Sequence, residues 1–294
     1  SDEDALIDVL RLSRGMTYKN AMAGLPLGGG KSVIIGDAKK IKSEALFRAF
    51  GRMVHRLSGS YYSAEDVNIT TGDIMIVNKE TPFVAGLEGK SGNPAPFTAL
   101  GTYRGIKAAA KHKFGSDNLE GKTVAVQGLG SVGFYLCEHL HKEGARLVVT
   151  DINKEAVQRA VTLFGATAVE LDAIYAVDAD VYAPCALGAT LNDETIPLLK
   201  ARIVAGCANN QLQQARHGEI LRQKGILYAP DYVINAGGII NVASEMRAEG
   251  YSEQESTAKV MAIYDTLINI FERADADNQP TSVVADLMAQ EIIR

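Results

Sequence analysis

Thr123-Val124-Ala125-Val126-Gln127-Gly128-Leu129-Gly130-Ser131-Val132-Gly133 decides the fold of this 294-residue chain. A short apolar strand runs straight into a Gly-x-Gly-x-x-Gly loop, and residues 131–143 behind it read as a helix. A second apolar strand, Leu147 to Thr150, ends at Asp151, eighteen residues beyond the last glycine. By itself the glycine pattern is weak. With a strand before, a helix after and an acid at the end of the next strand, it is a dinucleotide fingerprint in its required context. Each part has a physical task. Gly128 permits the tight turn, Gly130 lets a pyrophosphate approach the backbone, and Gly133 lets helix and sheet close up. Leu129, Ser131 and Val132 complete a loop whose helix N-terminus carries partial positive charge. Asp151 is placed to accept from a ribose 2′-hydroxyl and to repel a 2′-phosphate, which favours NAD over NADP, with Lys154 nearby pulling the other way.

Outward from this loop the alternation continues: a helix over 154–163, then apolar strands at Val181 to Ala183, Ile203 to Ala205 and Ile226 to Tyr228. That pattern predicts an α/β fold with a parallel, doubly wound sheet. Upstream, residues 3–13 carry Ala5, Leu6, Val9, Leu10 and Leu12 at helical spacing. A strand is expected at Val33 to Ile35, a helix over 43–57 capped by Ser43, a short strand at Tyr61-Tyr62-Ser63 and a helix over 97–113. Gly92-Asn93-Pro94-Ala95-Pro96 breaks the chain between the two regions. The division expected is a substrate and oligomerisation domain of residues 1–97 plus 279–294, and a Rossmann-like NAD-binding domain of residues 98–278, with a cleft between them.

Composition narrows the function. Hydrophobic residues at 47% and charged ones at 22% are ordinary for a globular protein, and the length suits two domains. A net charge of −5, a pI near 5.6 and no basic run beyond Lys39-Lys40-Ile41-Lys42 argue against a nucleic-acid surface. No apolar run approaches the roughly 18 residues that cross a bilayer. Cys137, Cys185 and Cys207 form no Cys-x-x-Cys pair, which suits reduced thiols in a cytoplasm and gives no zinc site. His139 and His141, one residue apart on a helix, point to different sides and share no metal.

The segment Leu25-Pro26-Leu27-Gly28-Gly29-Gly30-Lys31-Ser32 bares the backbone just before a lysine and an apolar run. It is not a Walker A loop, because the position that must be glycine is Leu25. A lysine between a glycine loop and a buried strand is expected to be partly desolvated, which lowers its pKa toward that of a general base. Lys19, twelve residues earlier, would depress it further if both face one cleft. The alternative is a phosphate-binding or merely tight loop. Asp66 in Ala64-Glu65-Asp66-Val67-Asn68 is either a second acid–base group or a turn former or helix cap. Asn209-Asn210 and Cys185-Ala186 each follow an apolar strand, at the carboxyl edge where open α/β sheets bind ligands, though the asparagines also suit ordinary turns.

Read together, Gly15-Met16-Thr17-Tyr18-Lys19, Leu27-Gly28-Gly29-Gly30-Lys31, Ala64-Glu65-Asp66-Val67, Ala183-Pro184-Cys185-Ala186-Leu187-Gly188 and Asn235-Ala236-Gly237-Gly238 resemble the amino-acid dehydrogenase superfamily. That superfamily includes glutamate, leucine, valine and phenylalanine dehydrogenases, and the resemblance spans nearly the whole chain and is greatest to the leucine branch. It implies that Lys19 binds the substrate α-carboxylate, that Lys31 is the catalytic lysine and Asp66 the catalytic carboxylate. It also implies that Thr98 and Asn210 lie near nicotinamide and substrate, and that Cys185, Ala186 and Asn235 contact the cofactor. The side-chain pocket would be formed by Ala64, Ile239 and Val242, with no cation among them. The activity implied is reversible NAD-dependent oxidative deamination of leucine, valine or isoleucine to the 2-oxo acid and ammonia, by a homo-oligomer. A phenylalanine or tryptophan dehydrogenase is an alternative within the family, and a non-catalytic dinucleotide-binding regulator is one outside it. Family members carry an upstream segment, with a Gly-Gly motif and one more pocket position, before the point matching residue 1. A chain without it would lack part of the substrate domain's sheet.

Overall fold

The structure, a computed structural model, describes residues 2–66, 68–87, 91–246 and 250–294. Val67 of the motif quoted above lies outside the described residues. In chain order the elements are α1 (Asp2–Met22), α2 (Ala38–Ile41), α3 (Glu44–Arg56), α4 (Thr71–Asn78), α5 (Ala95–Phe114), β1 (Thr123–Gln127), α6 (Ser131–Lys142), β2 (Arg146–Thr150), α7 (Lys154–Phe164), β3 (Thr167–Ala168), β4 (Val181–Pro184), β5 (Ile203–Val204), α8 (Arg216–Gln223), β6 (Leu227–Tyr228), α9 (Asp231–Ile234), α10 (Gly237–Ala243), α11 (Glu253–Met261), α12 (Ile263–Asp277) and α13 (Thr281–Ile293).

The strands form one parallel sheet in the order β3-β2-β1-β4-β5-β6. The order reverses between β1 and β4, where Gln127 pairs with Thr150 on one side and Pro184 on the other. Helices leaving opposite faces on either side of that reversal open a crevice at the carboxyl ends of the strands, and the Gly128 to Gly133 loop stands at its mouth. The strands expected near residues 123, 147, 181, 203 and 226 are all present. β3 has no counterpart in the sequence reading. Its two residues are both exposed and too short to show a pattern.

The core lies between sheet and helices. Ile106 of α5, Val126 of β1, Leu136 of α6 and Leu267, Ile270 and Phe271 of α12 are fully buried in one cluster. Gly105 explains how closely α5 approaches its neighbours: a Cβ there would lie 2.4 Å from Ile234 and 2.8 Å from Leu267.

The first 87 residues differ most from expectation. α1 runs on to Met22, well past residue 13, so Lys19 stands on its last turn. Gly15 weakens a helix by about 1 kcal/mol. The tertiary packing of this stretch offsets that cost: Tyr18 stacks edge-on to Tyr232 at 6.3 Å and accepts from Gln290 Nε2 at 3.0 Å, and Arg14 pairs with Asp286 at 3.3 Å. Ser43 caps α3 as expected, its hydroxyl accepting from Leu46 N at 3.2 Å. Val33 to Ile35 and Tyr61 to Ser63 are not strands. A strand needs a neighbour for its backbone N–H and C=O groups. The first segment pairs with nothing among the described residues and leaves Val33 and Ile35 44% and 60% exposed, and the second makes only a single parallel bridge from Ser63 to Val84. α5 begins at Ala95 and so runs across residue 97. Glu245, beyond α10, accepts from Gly86 N at 3.3 Å and from Ser91 N at 2.9 Å, pinning both ends of the crossing between the two halves.

Candidate active site

The glycine triplet is built for contact with α1. A Cβ on Gly29 would lie 2.1 Å from Thr17 N and 2.6 Å from Ser13 O, so only glycine lets the loop lie flush against the helix. Asn20 Nδ2 donates to Gly28 O at 2.5 Å, and Lys31 N donates to Ser13 Oγ at 3.1 Å. Gly30 has the Tyr61 ring 3.0 Å from where its Cβ would be. The loop is therefore tight, and its tightness serves to set Lys31 beside the helix that bears Lys19.

Lys31 Nζ forms an ion pair with Asp66 Oδ2, its stem largely covered and the carboxylate half-exposed. Asp66 is also a turn residue, since Ile69 N donates to its carbonyl at 2.9 Å. It does not cap the following helix. Thr70 does, in a capping box with Asp73.

Lys19 Nζ donates to Asn209 Oδ1 at 3.3 Å, reaching from the first half of the chain to the loop beyond β5. Burial pushes the Lys19 ammonium down to about 8; the Lys31 charge adds to the lowering, while Asp231 and Asp66 oppose it. The charge of the second lysine is thus one of the influences that lower Lys19.

Asn209, and not Asn210, is the residue that meets Lys19. Asn210 is exposed in the left-handed region at φ 51°, and its carbonyl accepts from Ala189 N at 2.7 Å. Asn209 Oδ1 also accepts from Asn235 Nδ2 at 2.7 Å, and Asn235 Nδ2 donates as well to Cys207 O at 3.1 Å. That leaves Asn235 Oδ1 buried and without a partner among the described residues, an acceptor suited to an N–H donor on a ligand. Asp231 accepts from Gln211 N at 2.8 Å and from Tyr232 N at 2.6 Å, tying this loop to α9. Burial pushes its carboxyl up, while those backbone donors and Lys19 pull it back.

At the dinucleotide loop the three glycines do three different things. Gly128 has φ 103°, and a Cβ there would lie 2.8 Å from Ala186 N. A Cβ on Gly133 would lie 2.1 Å from Gly128 O, whereas Gly130 faces open space. Gly130 is the N-cap of α6 and offers no side-chain cap, so the N–H groups of Ser131, Val132 and Gly133 are available to an anion. Asp151 accepts from Leu129 N at 2.5 Å and from Asn153 N at 2.7 Å, which holds its carboxylate over the loop. These features fit a dinucleotide: a cradle that a methyl group would fill, free N–H groups for the pyrophosphate, and an acid for the ribose.

The remaining candidates surround these groups. Cβ atoms on Gly237 and Gly238 would lie 2.0 Å from Phe97 O and 2.6 Å from Thr98 Oγ1, so the Asn235-Ala236-Gly237-Gly238 turn packs onto the start of α5 beside Thr98. On α10, Val242 is buried and Ile239 half-buried. Ala64 is exposed. Cys185 N donates to Gln127 O at 2.7 Å, and the Cys185 and Cys207 thiols lie at the ends of neighbouring strands. No group of three or more His, Cys, Asp or Glu side chains among the described residues could hold a metal ion, and none of the described helices is long and apolar enough to cross a membrane.

Residues 1–86 match the family described as Glu/Leu/Phe/Val dehydrogenase, dimerisation domain. Residues 91–160 and 149–291 match Glutamate/Leucine/Phenylalanine/Valine dehydrogenase. The chain is similar to the leucine dehydrogenase of Bacillus cereus, with 60% identity over 100% of this chain and 80% of that one. Identity to the leucine dehydrogenase of Geobacillus stearothermophilus is 59% with the same coverage. Among solved structures it is similar to L-tryptophan dehydrogenase from Nostoc punctiforme, with a TM-score of 0.89 and 49% identity over 100% of this chain and 84% of that one. With its family motifs in order along the sequence and such similarity over its whole length, the chain belongs to the glutamate/leucine/phenylalanine/valine dehydrogenase family.

Proposed function

We propose that the chain is an NAD-dependent dehydrogenase of branched-chain aliphatic L-amino acids, converting leucine, valine or isoleucine reversibly to the 2-oxo acid and ammonia. The observation that carries this reading is the convergence of Lys19, Lys31 and Asp66 opposite Asn209 at the carboxyl edge of the sheet. Similarity to leucine dehydrogenases at 57–60% identity, against 50% and 47% for tryptophan and phenylalanine dehydrogenases, supports an aliphatic substrate. So does the apolar character of Ile239 and Val242, since a second carboxylate buried there without a cation would cost several kcal/mol.

In this reading Lys19 pairs with the substrate α-carboxylate and Asn209 fixes the ammonium's position. The dinucleotide, when bound, supplies the acceptor for the hydride leaving the substrate Cα. Lys31 first gives its proton to the paired Asp66 carboxylate, and the neutral amine then accepts the proton of the water that attacks the resulting imine. Asp66, already paired with Lys31, carries a proton to the nitrogen as the carbinolamine collapses to ketone and ammonia. Atoms balance: amino acid, oxidised dinucleotide and water give oxo acid, ammonium, reduced dinucleotide and a proton. Gly128 to Gly133 and Asp151 would hold the dinucleotide, and the Asp151 carboxylate would disfavour a 2′-phosphate and hence NADP. Thr98, Cys185, Ala186 and Asn235 would hold the nicotinamide end, where the unpartnered Asn235 Oδ1 would accept an N–H.

The reading includes a cytoplasmic homo-oligomer. Exposed Leu6, Ile7 and Leu10 on α1, with Val33, Ile35 and Met53, support an assembly through the first half of the chain. The test compares reduced-dinucleotide formation from leucine, valine, isoleucine, phenylalanine, tryptophan and glutamate. Turnover with the aliphatic set is expected to lead in kcat/KM. Preference for an aromatic substrate would overturn the substrate assignment, and Lys31→Ala turning over normally would remove Lys31 from the chemistry.

A further inference from the structure

Beyond the residues that would touch substrate or cofactor, one half-buried acid near Lys19, Asp231, has no role yet. Asp231 begins α9, directly after Pro230, and could be read as a simple helix-start residue. Its surroundings say more. Tyr18 on α1 faces α9, its ring 6.3 Å from the ring of Tyr232, and Lys19 is the next residue of the same helix. Asp231 binds Gln211 N at 2.8 Å, two residues from the Asn209 that Lys19 reaches at 3.3 Å. α9 ends at Ile234, so the next residue, Asn235, holds Asn209 from the other side at 2.7 Å.

We infer that Asp231 is a positioning residue for the deamination reaction, supplying from the dinucleotide domain the negative charge that keeps Lys19 a cation, while tying together the two segments that present Asn209 and Asn235. It rests on the reading of Lys19 as the carboxylate anchor. Distance from Lys19 is part of the device. A carboxylate hydrogen-bonded to the Lys19 ammonium would occupy the place of the substrate's own carboxylate and compete with it. Asp231 instead spends its oxygens on Gln211 N and Tyr232 N, at 2.8 and 2.6 Å, and acts on Lys19 through charge alone. Lys19 Nζ is left on a neutral amide oxygen that an incoming carboxylate can displace.

The charged groups around Lys19 define the balance. Lys31 from the glycine loop opposes its protonation, Asp66 favours it weakly, and Asp231 is the largest favourable influence against burial. Around Asp231 stand Lys19, Asp286 of α13 and the phenols of Tyr228 and Tyr232. Without the Asp231 charge, burial and Lys31 act on Lys19 opposed only by Asp66. The ammonium then loses its proton at lower pH.

The experiment compares wild type, Asp231→Asn and Asp231→Glu in the full chain. One readout is the NMR titration of Lys19 after reductive ¹³C-methylation, assigned by its absence in Lys19→Arg. The other is the pH profile of kcat/KM for leucine. For Asp231→Asn the Lys19 titration and the alkaline limb should both move down by roughly one pH unit, so that KM at alkaline pH rises about tenfold, with NADH affinity within twofold of wild type. Asp231→Glu keeps the charge and should restore most of the limb; it also serves if Asp231→Asn does not fold. A folded Asp231→Asn, or in its place an Asp231→Glu that behaves as though uncharged, decides against the inference if the Lys19 titration does not follow the charge. A titration that moves while the limb does not would instead overturn the reading of Lys19 as the carboxylate anchor, as would Lys19→Ala with unchanged KM.

Discussion

Substituting the second and third fingerprint glycines separately should divide fold stability from dinucleotide binding. In Gly133→Ala the new Cβ would stand 2.1 Å from Gly128 O, more than an ångström inside ordinary contact of ~3.5 Å. Neither partner can rotate away. Gly128 is backbone, held by its N–H to Thr150 O at 2.8 Å, and Cys185 Cβ waits 3.4 Å from the new methyl. Either α6 retreats from β1 or the turn opens. Overpacking of this kind costs about 1–3 kcal/mol, and a backbone obstacle places the change at the upper end. At about 2–4 °C per kcal/mol for a chain of this size, Tm should fall by roughly 5–10 °C. Gly130→Ala is the opposite case. Its φ of −65° and ψ of −171° suit alanine, and no atom lies within 4 Å of the new methyl. Its Tm without ligand should stay within about 1 °C of wild type by the same relation, yet NADH should bind at least about tenfold more weakly, a loss of ~1.4 kcal/mol, because the methyl stands where the pyrophosphate approaches. Differential scanning fluorimetry and NADH fluorescence titration measure the two effects. Gly130→Ala that loses stability as Gly133→Ala does, or that binds NADH like wild type, would refute the division of labour.

Other outcomes follow from the same geometry. Lys31→Ala should lower kcat by at least about a hundredfold, the low end for a general acid–base group, and leave the Kd for NADH within twofold. Gly29→Ala brings a Cβ to 2.1 Å from Thr17 N; lifting the loop from α1 should lower both Tm and kcat, with NADH affinity unchanged. Lys19 is protonated below about 8 and neutral above it, so KM for the amino acid should be flat at lower pH and rise about tenfold per unit above that value. Lys19→Arg should show no such rise, whatever its affinity. Asp151→Ser should narrow the preference for NAD over NADP, measured as the ratio of kcat/KM values; an unchanged ratio would show that the carboxylate does not read the ribose.

The dinucleotide half of the molecule is legible in the sequence because its inner strands β1, β2, β4 and β5 each have a partner on both sides, so burial and strand pattern coincide, as at Val126 and Val181. Val33 to Ile35 has equally good strand residues and no ladder, because pairing is a property of neighbours that a local pattern does not contain. The adjacent Asn209 and Asn210 illustrate the limit at the site. Both follow the same strand, and only the left-handed turn at Asn210 decides which side chain reaches Lys19. Asp231 escapes sequence reading for a related reason: Pro-Asp before a short apolar run is an ordinary helix start, and its nearness to a lysine far upstream exists only in the folded chain. The glycine triplet was legible as a tight loop beside a lysine, but not its docking surface, since nothing in Gly28-Gly29-Gly30 points to Thr17.

The clasp of α1 by Tyr232, Asp286 and Gln290 changes what counts as a moving part. Although α1 opens the half of the chain matched to the dimerisation domain, it is fastened to the frame of the other half. Like a hinge leaf screwed to the door post, it carries Lys19 with the dinucleotide side, and the glycine loop lying flush against it sets Lys31 on the same frame. Peptide continuity between residues 87 and 91 is then not what holds the halves in register. Chain cut at that crossing should remain one particle in size-exclusion chromatography and come apart more readily when the Tyr18 and Arg14 contacts are removed together.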